Sequence, residues 1–289
     1  SPAPEYAARL AAAAEAIAVA RPTAVNLRTA VRRSLAELED AEADPLATGA
    51  RLFEAARSLE AYEKEACAAI ARLGARRLEG YQRVATHCNT GTLVTPGLGT
   101  ALAPLFTLHA WGRPVHVWVD ETRPLLQGLR LTAWELARAG VPHAVVPDGA
   151  TASLMRRGEV DACIVGADRV CRNGDVANKI GTYLKALAAH DNNIPFYVAL
   201  PSTTIDWQTR DGITGIPIEE RDPAEVTHIH GVADGVCQPV RTTMPETRVS
   251  NPAFDVTPAR LVTGLITERG ICAASEEGLT GLFPEEASG

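Results

Sequence analysis

The stretch RVATHCNTGTLVTPGLGTALAPLF, residues 83–106, gives the strongest indication of the fold class in this sequence. It begins with a short apolar run typical of a buried strand, continues through a loop rich in threonine and glycine, and ends in a helix-like apolar run. Similar short runs alternate with helix-like segments downstream, which predicts right-handed crossovers and a parallel sheet. The strand-like runs are 83–87, 114–120, 143–148, 162–168 and 195–201, and the helix-like segments are 100–111, 129–139, 150–157 and 179–190.

The region before residue 81 has a different texture, because it is rich in alanine, leucine, arginine and glutamate with apolar residues three and four apart. Pro22 and the segment 43–49 divide it into three predicted helices. We therefore predict an α/β protein with a small helical N-terminal domain, residues 1–80, followed by a domain with a mainly parallel sheet, residues 81–289. Late segments add a predicted strand over 226–231 and a predicted helix near 258–269.

Composition and charge exclude several functional classes. The net charge is −7 and no basic tract is longer than an arginine pair, so we expect no nucleic-acid partner. No apolar run reaches the roughly 18 residues of a membrane span, and no signal peptide is recognisable. Six cysteines are scattered without a CxxC pair, which indicates reduced thiols and a cytoplasmic protein.

Polar residues follow most of the strand-like runs and locate the predicted site. In open α/β sheets the carboxyl ends of the strands line one crevice, and ligands bind there where the strand order reverses. Cys88, Glu121 and Asp168 each follow a different run. We therefore expect these three residues to converge although they lie far apart in the sequence.

Cys88 is the first candidate for catalysis. It follows a strand and precedes a glycine-rich loop that opens a helix, where backbone N–H groups lower the pKa of a thiol and can hold an anion. A buried, inert cysteine is the alternative, and it is our interpretation of Cys67, Cys163 and Cys272. The loop segment 95–102 lacks the third glycine of a dinucleotide fingerprint, so a loop that holds one phosphate fits better than a nicotinamide site.

Two later stretches supply candidate acid and binding groups. Asp168 ends an apolar run, where burial raises the pKa of a carboxyl group toward the range of a general acid, although capping or pairing with Arg169 is the alternative. The Asn178 amide and the Lys179 ammonium, at a predicted helix start, suit a phosphorylated sugar. Gln127 can hydrogen-bond sugar hydroxyls.

We expect no metal site. His228 and His230 are predicted to share one face of a strand, and His87 adjoins Cys88, but none has the spacing of a recognised zinc or iron site. A serine hydrolase is also excluded, because the sequence contains no G-x-S-x-G motif.

Seven segments resemble the 5-methylthioribose-1-phosphate isomerase family of methionine salvage, from about residue 10 to about residue 272. They are RPTAVNL (21–27), THCNTG (86–91), ETRPLLQG (121–128), GADRVCRNGDVANKIGTY (166–183), PFYVALPSTTID (195–206), IPIEER (216–221) and NPAFDVTP (251–258). The resemblance implies a homodimer with a Rossmann-like second domain. It also implies an aldose–ketose isomerase that acts on a sugar phosphate and needs no metal and no nucleotide cofactor.

The same resemblance assigns site residues. It places the catalytic cysteine and aspartate on Cys88 and Asp168, and the substrate contacts on Arg21, Gln127, Asn178 and Lys179. Cys88 is then expected to transfer a proton, with direct hydride transfer as the rival mechanism. Members of the family usually carry an upstream Arg-Gly-Ala-Pro loop that contacts the phosphate, and we expect that segment to be missing from this sequence.

Two other functions fit the same scaffold. One is a related isomerase acting on 5-deoxyribose 1-phosphate or ribose 1,5-bisphosphate. The other is a non-catalytic regulatory subunit, against which the presence of both Cys88 and Asp168 argues, because binding alone needs neither residue.

Overall fold

The computed structural model describes residues 2–36, 38 and 45–287 of the chain. It begins with three helices: α1 (Pro2–Ala18), α2 (Asn26–Ala36) and α3 (Pro45–Leu78). Pro22 lies between α1 and α2, as expected for a residue that disrupts helical hydrogen bonding. The three predicted helices are confirmed within the described residues. Of the predicted break at 43–49, residues 43–44 lie outside the described residues, and the prediction is wrong for residues 45–49, which belong to α3.

The rest of the chain alternates strands and helices. The strands are β1 (Arg83–Thr86), β2 (His116–Asp120), β3 (His143–Val146), β4 (Ala162–Val165), β5 (Arg169–Cys171), β6 (Val176–Lys179), β7 (Phe196–Ala199), β8 (Ile205–Asp206), β9 (His228–Ala233), β10 (Val236–Arg241), β11 (Phe254–Thr257), β12 (Gly264–Thr267) and β13 (Gly270–Cys272). The helices are α4 (Leu102–Ala110), α5 (Ala133–Arg138), α6 (Ala150–Arg156), α7 (Thr182–Asp191), α8 (Gly212–Gly215), α9 (Ala224–Thr227) and α10 (Glu276–Leu282).

A seven-stranded sheet in the order β13-β12-β7-β4-β1-β2-β3 forms the centre of the molecule. All neighbouring strands are parallel except the antiparallel pair β12–β13. The chain runs outward from β1 to β3, returns to β4 beside β1, and continues outward to β7 and β12. The strand order therefore reverses between β1 and β4, where open sheets of this kind bind ligands. The predicted α/β fold with a mainly parallel sheet is confirmed.

Both faces of this sheet are buried. In β4, Ala162 and Ile164 join an apolar cluster with residues of α3, α4 and α5, whereas Cys163 and Val165 join a second cluster with residues of α6 and α7. This alternation follows from the two-residue period of a strand. Ile70 and Leu78 of α3 belong to the first cluster, so the long third helix contributes directly to the core of the sheet. A domain boundary at residue 80 stays a prediction.

The prediction of a helix near 258–269 is wrong. This segment forms a short 3-10 turn, Ala259–Leu261, and then strand β12, which pairs with β7 inside the sheet. All four residues of β12 are buried. A fully buried parallel strand is a short apolar run without alternation, so its pattern does not distinguish it from a buried helix.

Two smaller sheets complete the fold. A four-stranded sheet has the order β11-β6-β5-β8, and its strands β5 and β6 directly follow β4 in the chain. The strands β9 and β10 pair in an exposed hairpin. The predicted strand at 226–231 corresponds to β9. No helix in the described ranges is both long enough and apolar enough to cross a bilayer.

Candidate active site

A cleft of about 560 Å³ lies at the carboxyl ends of β1 and β4, with α2 and α3 forming part of its wall. All six site residues predicted from the sequence line it: Arg21, Cys88, Gln127, Asp168, Asn178 and Lys179. Glu121 is not among its described lining residues, and its N–H donates to the Val146 carbonyl at 2.9 Å. The expected convergence therefore holds for Cys88 and Asp168, and it is wrong for Glu121.

The backbone at Cys88 is held by two threonines. Its N–H donates to Thr122 Oγ1 at 2.9 Å, and the Thr132 hydroxyl donates to its carbonyl at 2.6 Å. Cys88 has a φ of 64°, a left-handed conformation that is uncommon outside glycine and persists where the surroundings enforce it. The chain thus makes a sharp turn at the end of β1 that presents Cys88 to the cleft.

Burial raises the pKa of the Cys88 thiol to about 11, and Lys179 opposes that shift more than any other group. The expectation of a lowered pKa is therefore wrong. Desolvation disfavours the thiolate more strongly than the nearby cations and the Asn89 N–H stabilise it. Cys88 thus keeps its proton at neutral pH.

Burial also raises the pKa of Asp168 to about 6, although Lys179 and Arg21 pull it down. This direction is the one predicted from its position after an apolar strand. Its Oδ1 lies 3.7 Å from Arg21 Nη2. Pairing with Arg169 is not observed, because the Arg169 guanidinium pairs with Asp206 at 3.0 Å.

Arg169 instead fixes the segment that carries Arg21. Its Nε donates to the Thr23 carbonyl at 2.8 Å and its Nη2 donates to the Pro22 carbonyl at 2.7 Å. The N–H of Val25 also donates to the Asp168 carbonyl, at 3.3 Å. These contacts join the α1–α2 connection to the residues after β4, and they hold Arg21 beside Asp168.

Lys179 and Arg21 share an aromatic partner that sequence reasoning missed. Lys179 Nζ lies 4.3 Å from the Phe254 ring centroid, and the Arg21 guanidinium carbon lies 5.5 Å from it. Burial lowers the pKa of Lys179. The predicted helix start at Asn178 and Lys179 is wrong, because both residues end strand β6. The sequence gives no local signal for Phe254, which reaches the cleft through the long-range pairing of β11 with β6.

Gln127 lines the cleft and lies directly before a π-helical turn, Gly128–Thr132, that precedes α5. Such turns are frequent at functional sites. Gly128 allows the turn to lie against β2, because a Cβ there would overlap the Asp120 carbonyl oxygen.

Three buried polar atoms of the cleft lining have no hydrogen-bond partner among the described residues: Asn89 Oδ1, Thr90 Oγ1 and Gln127 Oε1. An unpaired buried polar group costs about 1–3 kcal/mol, so such groups indicate a missing partner. A ligand rich in hydroxyl groups would supply these partners. The sequence places Asn89 and Thr90 in the polar loop after β1. Whether their side chains find hydrogen-bond partners depends on three-dimensional packing and could not be predicted from the sequence.

Below the cleft, His87, Asp120 and Asp148 bring potential ligand atoms within 4.8 Å of one another. Lys185 already supplies a cation there, because its Nζ lies 3.2 Å from Asp120 Oδ2 and donates to the Asp148 carbonyl. Both ring nitrogens of His87 also have protein partners. These residues therefore do not fit a metal ion.

Comparison with known proteins identifies the family. The model of the initiation factor 2 subunit family matches residues 2–274. A methylthioribose-1-phosphate isomerase of Methylorubrum populi is 56% identical over 282 residues, which cover 94% of this chain and 76% of the relative. One of Rhodospirillum centenum is 52% identical over 285 residues, covering 96% and 76%.

Solved structures agree with this result. The crystal structure of 5-methylthioribose 1-phosphate isomerase from Pyrococcus horikoshii OT3 superposes with a TM-score of 0.83 at 39% identity, over 99% of this chain and 78% of that one. The delta subunit of translation initiation factor eIF-2B from A. fulgidus gives 0.77 at 36% identity, over 95% and 78%. The chain therefore belongs to the initiation factor 2 subunit family, and within it groups with the methylthioribose-1-phosphate isomerases.

Proposed function

We propose that this protein is an aldose–ketose isomerase that converts 5-methylthioribose 1-phosphate to 5-methylthioribulose 1-phosphate in methionine salvage. The names of its 56% and 52% identical relatives support this substrate. The observation that carries the proposal is the presence of Cys88 and Asp168 at the ends of neighbouring strands in one cleft. A non-catalytic regulatory subunit would need neither residue.

Asp168 acts as the general acid in this proposal. The anomeric carbon of the substrate carries the phosphate, so the ring cannot open by losing a proton from a free hemiacetal. The neutral carboxyl group donates its proton to the ring oxygen, the bond from that oxygen to C1 breaks, and the phosphate stays on C1. A pKa raised to about 6 keeps part of the Asp168 population protonated near neutral pH, and a phosphate dianion beside it would increase that part.

Hydrogen must then move from C2 to C1, and the state of Cys88 favours hydride transfer. The C2 hydrogen moves to C1 with its electron pair, and the C2 hydroxyl proton returns to the Asp168 carboxylate, so atoms and charges balance. Abstraction of the C2 proton would need a Cys88 thiolate. With a pKa of about 11, only about one thiol in 10⁴ is ionised at neutral pH. Cys88 then excludes water and polarises the substrate as a neutral thiol.

The cleft has a charged side and an apolar side that suit this substrate. Arg21, Lys179 and Arg221 supply positive charge for the phosphate, while Gln127 and Asn178 supply amides for the sugar hydroxyls. The wall formed by α2, α3 and the loop after β1 includes a set of apolar residues beside the polar Asn26, Glu63 and Thr95: Leu27, Ala30, Leu59, Val94 and Pro96. A methylthio group can bury its apolar surface there, whereas the second phosphate of ribose 1,5-bisphosphate would lose its hydration.

Two assays test the substrate and the mechanism. Purified protein should form ketose from 5-methylthioribose 1-phosphate with a higher kcat/KM than from 5-deoxyribose 1-phosphate or ribose 1,5-bisphosphate. Absence of ketose from all three would refute the proposed activity. With deuterium at C2, we expect the label on C1 of the product; exchange of that label with solvent would contradict hydride transfer.

We also propose that the protein is a cytoplasmic homodimer. The scattered cysteines support the location, since all six are free within the described residues. The hairpin β9–β10 supports association, because an isolated two-stranded hairpin is marginal in water and this one exposes Val236 and Val240 on one face. Sedimentation should give twice the chain mass of 30.7 kDa, and a single-chain mass would refute the dimer.

A further inference from the structure

His87 is a buried histidine directly before Cys88 that the proposed chemistry does not use. It is 1% exposed. Its Nδ1 lies 2.8 Å from Asp120 Oδ2, and its Nε2 lies 2.8 Å from the Ile180 carbonyl oxygen. Both partners are hydrogen-bond acceptors. A neutral imidazole carries one N–H, so it would satisfy one partner and leave a ring lone pair facing the other.

Asp120 does not resolve this conflict by carrying the proton itself. Lys185 Nζ lies 3.2 Å from the same carboxylate oxygen, and the Thr151 hydroxyl donates to the other one. Each oxygen of this carboxyl group therefore already faces a donor other than the ring, an arrangement that suits a hydrogen-bond acceptor. Turning the ring by half a turn would replace both nitrogens with carbon atoms and remove both contacts. The geometry therefore favours a ring that donates from both nitrogens.

The two hydrogen bonds of His87 join two parts of the cleft. His87 adjoins Cys88 at the end of β1, and Ile180 adjoins Lys179 at the end of β6. The approach is close, because a Cβ at Gly181 would lie 3.0 Å from the His87 ring, and Gly181 has a φ of 101°. A glycine at this position lets the ring reach the carbonyl.

We propose that His87 is a positioning residue that holds two protons and, as an imidazolium, fixes the Cys88 turn relative to Lys179. Each element packed around it contributes to the charge balance. Asp120 from β2, Asp148 after β3 and Asp255 from β11 are the acidic groups that face it, and Lys185 from α7 is the basic one. Burial raises the pKa of Asp255, and the Asp148 side chain accepts from two backbone N–H groups. The ring charge thus has counter-charges within a buried network.

Nitrogen NMR on the unmodified protein tests the protonation state directly. In protein labelled with ¹⁵N-histidine, both ring nitrogens of His87 should carry hydrogen at pH 7.5, with the resonance assigned by its loss in His87→Gln. The exposed His230, changed in the matched variant His230→Gln, provides the reference for a solvent-exposed ring. A neutral tautomer of His87 would overturn the proposal. This measurement does not depend on the proposed function.

The positioning role rests on the proposed isomerase activity and is tested by kinetics. Glutamine carries both of its N–H donors on one nitrogen, which cannot reach acceptors on opposite sides of the ring. His87→Gln should therefore lower kcat at least about tenfold and change KM much less, whereas His230→Gln should change neither. If His87→Gln does not fold, Asp120→Asn serves instead, and it should remove the second ring proton and lower kcat. A folded variant with unchanged kcat would overturn the positioning role, whereas inactive unmodified protein would refute the isomerase and leave the protonation result standing.

Discussion

The thiol of Cys88 shows how far a residue's chemistry depends on its surroundings. The sequence places it before a glycine-rich loop, a setting that lowers the pKa of many thiols. In the folded chain the opposite holds, because burial raises its pKa to about 11. Sequence position predicted its location in the cleft, but desolvation is a property of the packed structure and could not be predicted from local letters.

Alkylation should therefore be slow at Cys88. At pH 7.5 we expect iodoacetamide to modify the exposed Cys237 much faster than Cys88, since only the thiolate reacts. The Cys88 rate should rise as the pH approaches 11. Mass spectrometry of each peptide over time measures both rates in one sample. Faster modification of Cys88 than of Cys237 at neutral pH would contradict a raised pKa.

Asp168 should destabilise the fold at neutral pH. The pKa of Asp168 in the folded chain is about 6, above the ordinary 3.8. The protonated carboxyl group therefore favours the folded state below pH 4, and this contribution is lost as the pH rises through 6. At pH 7.5, Asp168→Asn should therefore raise the free energy of unfolding, by on the order of 2–3 kcal/mol from the size of the shift.

Urea denaturation at two pH values checks this expectation. The variant and the unmodified protein should have similar stability at pH 4 and differ at pH 7.5, while the variant loses activity. If the variant and the unmodified protein have the same free energy of unfolding at both pH values, ionisation of Asp168 does not destabilise the folded state, which would contradict the prediction.

At the scale of elements, the Arg169 side chain supplies two of the hydrogen bonds that hold the connection between α1 and α2. Arg169→Lys keeps the positive charge but cannot donate to Thr23, Pro22 and Asp206 together, because lysine lacks the planar fork of guanidinium. We expect KM for the sugar phosphate to rise roughly tenfold as Arg21 loses its fixed position.

Steady-state kinetics of Arg169→Lys measure this effect, with the exposed Arg113→Lys as a matched control. Arg113 pairs with Glu79 far from the cleft, and exposed pairs of this kind contribute little. An unchanged KM in Arg169→Lys would show that Arg21 does not depend on this contact.

The element scale also explains which sequence predictions hold. Polar residues after apolar runs located Cys88 and Asp168, since parallel strands bring their carboxyl ends to one edge. The helix predicted near 258–269 is wrong because the fully buried strand β12 lacks the alternation that marks a strand. The helix start predicted at Lys179 is wrong because this residue ends strand β6. Phe254 and the contacts of Arg169 could not be predicted, because they depend on pairings between distant segments.

At the scale of the whole molecule, Cys88 and Asp168 follow neighbouring strands and are proposed to act together on one substrate. The strand order reverses between β1 and β4, so the cleft between their ends follows from the topology of the sheet. The helices α2 and α3 form part of the cleft wall, and the smaller sheet supplies Asn178 and Lys179. No single element contains the site.

Steady-state kinetics of Cys88→Ser, Asp168→Asn and the double variant test this claim most directly. General acid–base roles are worth on the order of 10²–10⁴-fold, so Asp168→Asn should lower kcat by about that factor. Cys88→Ser should lower kcat at least about tenfold, because the more strongly hydrated hydroxyl group excludes water from the cleft less well, and both variants should change KM much less. The double variant should lose little more than the worse single variant, because residues that act as a unit are not additive. Losses below about tenfold in both single variants would contradict the account.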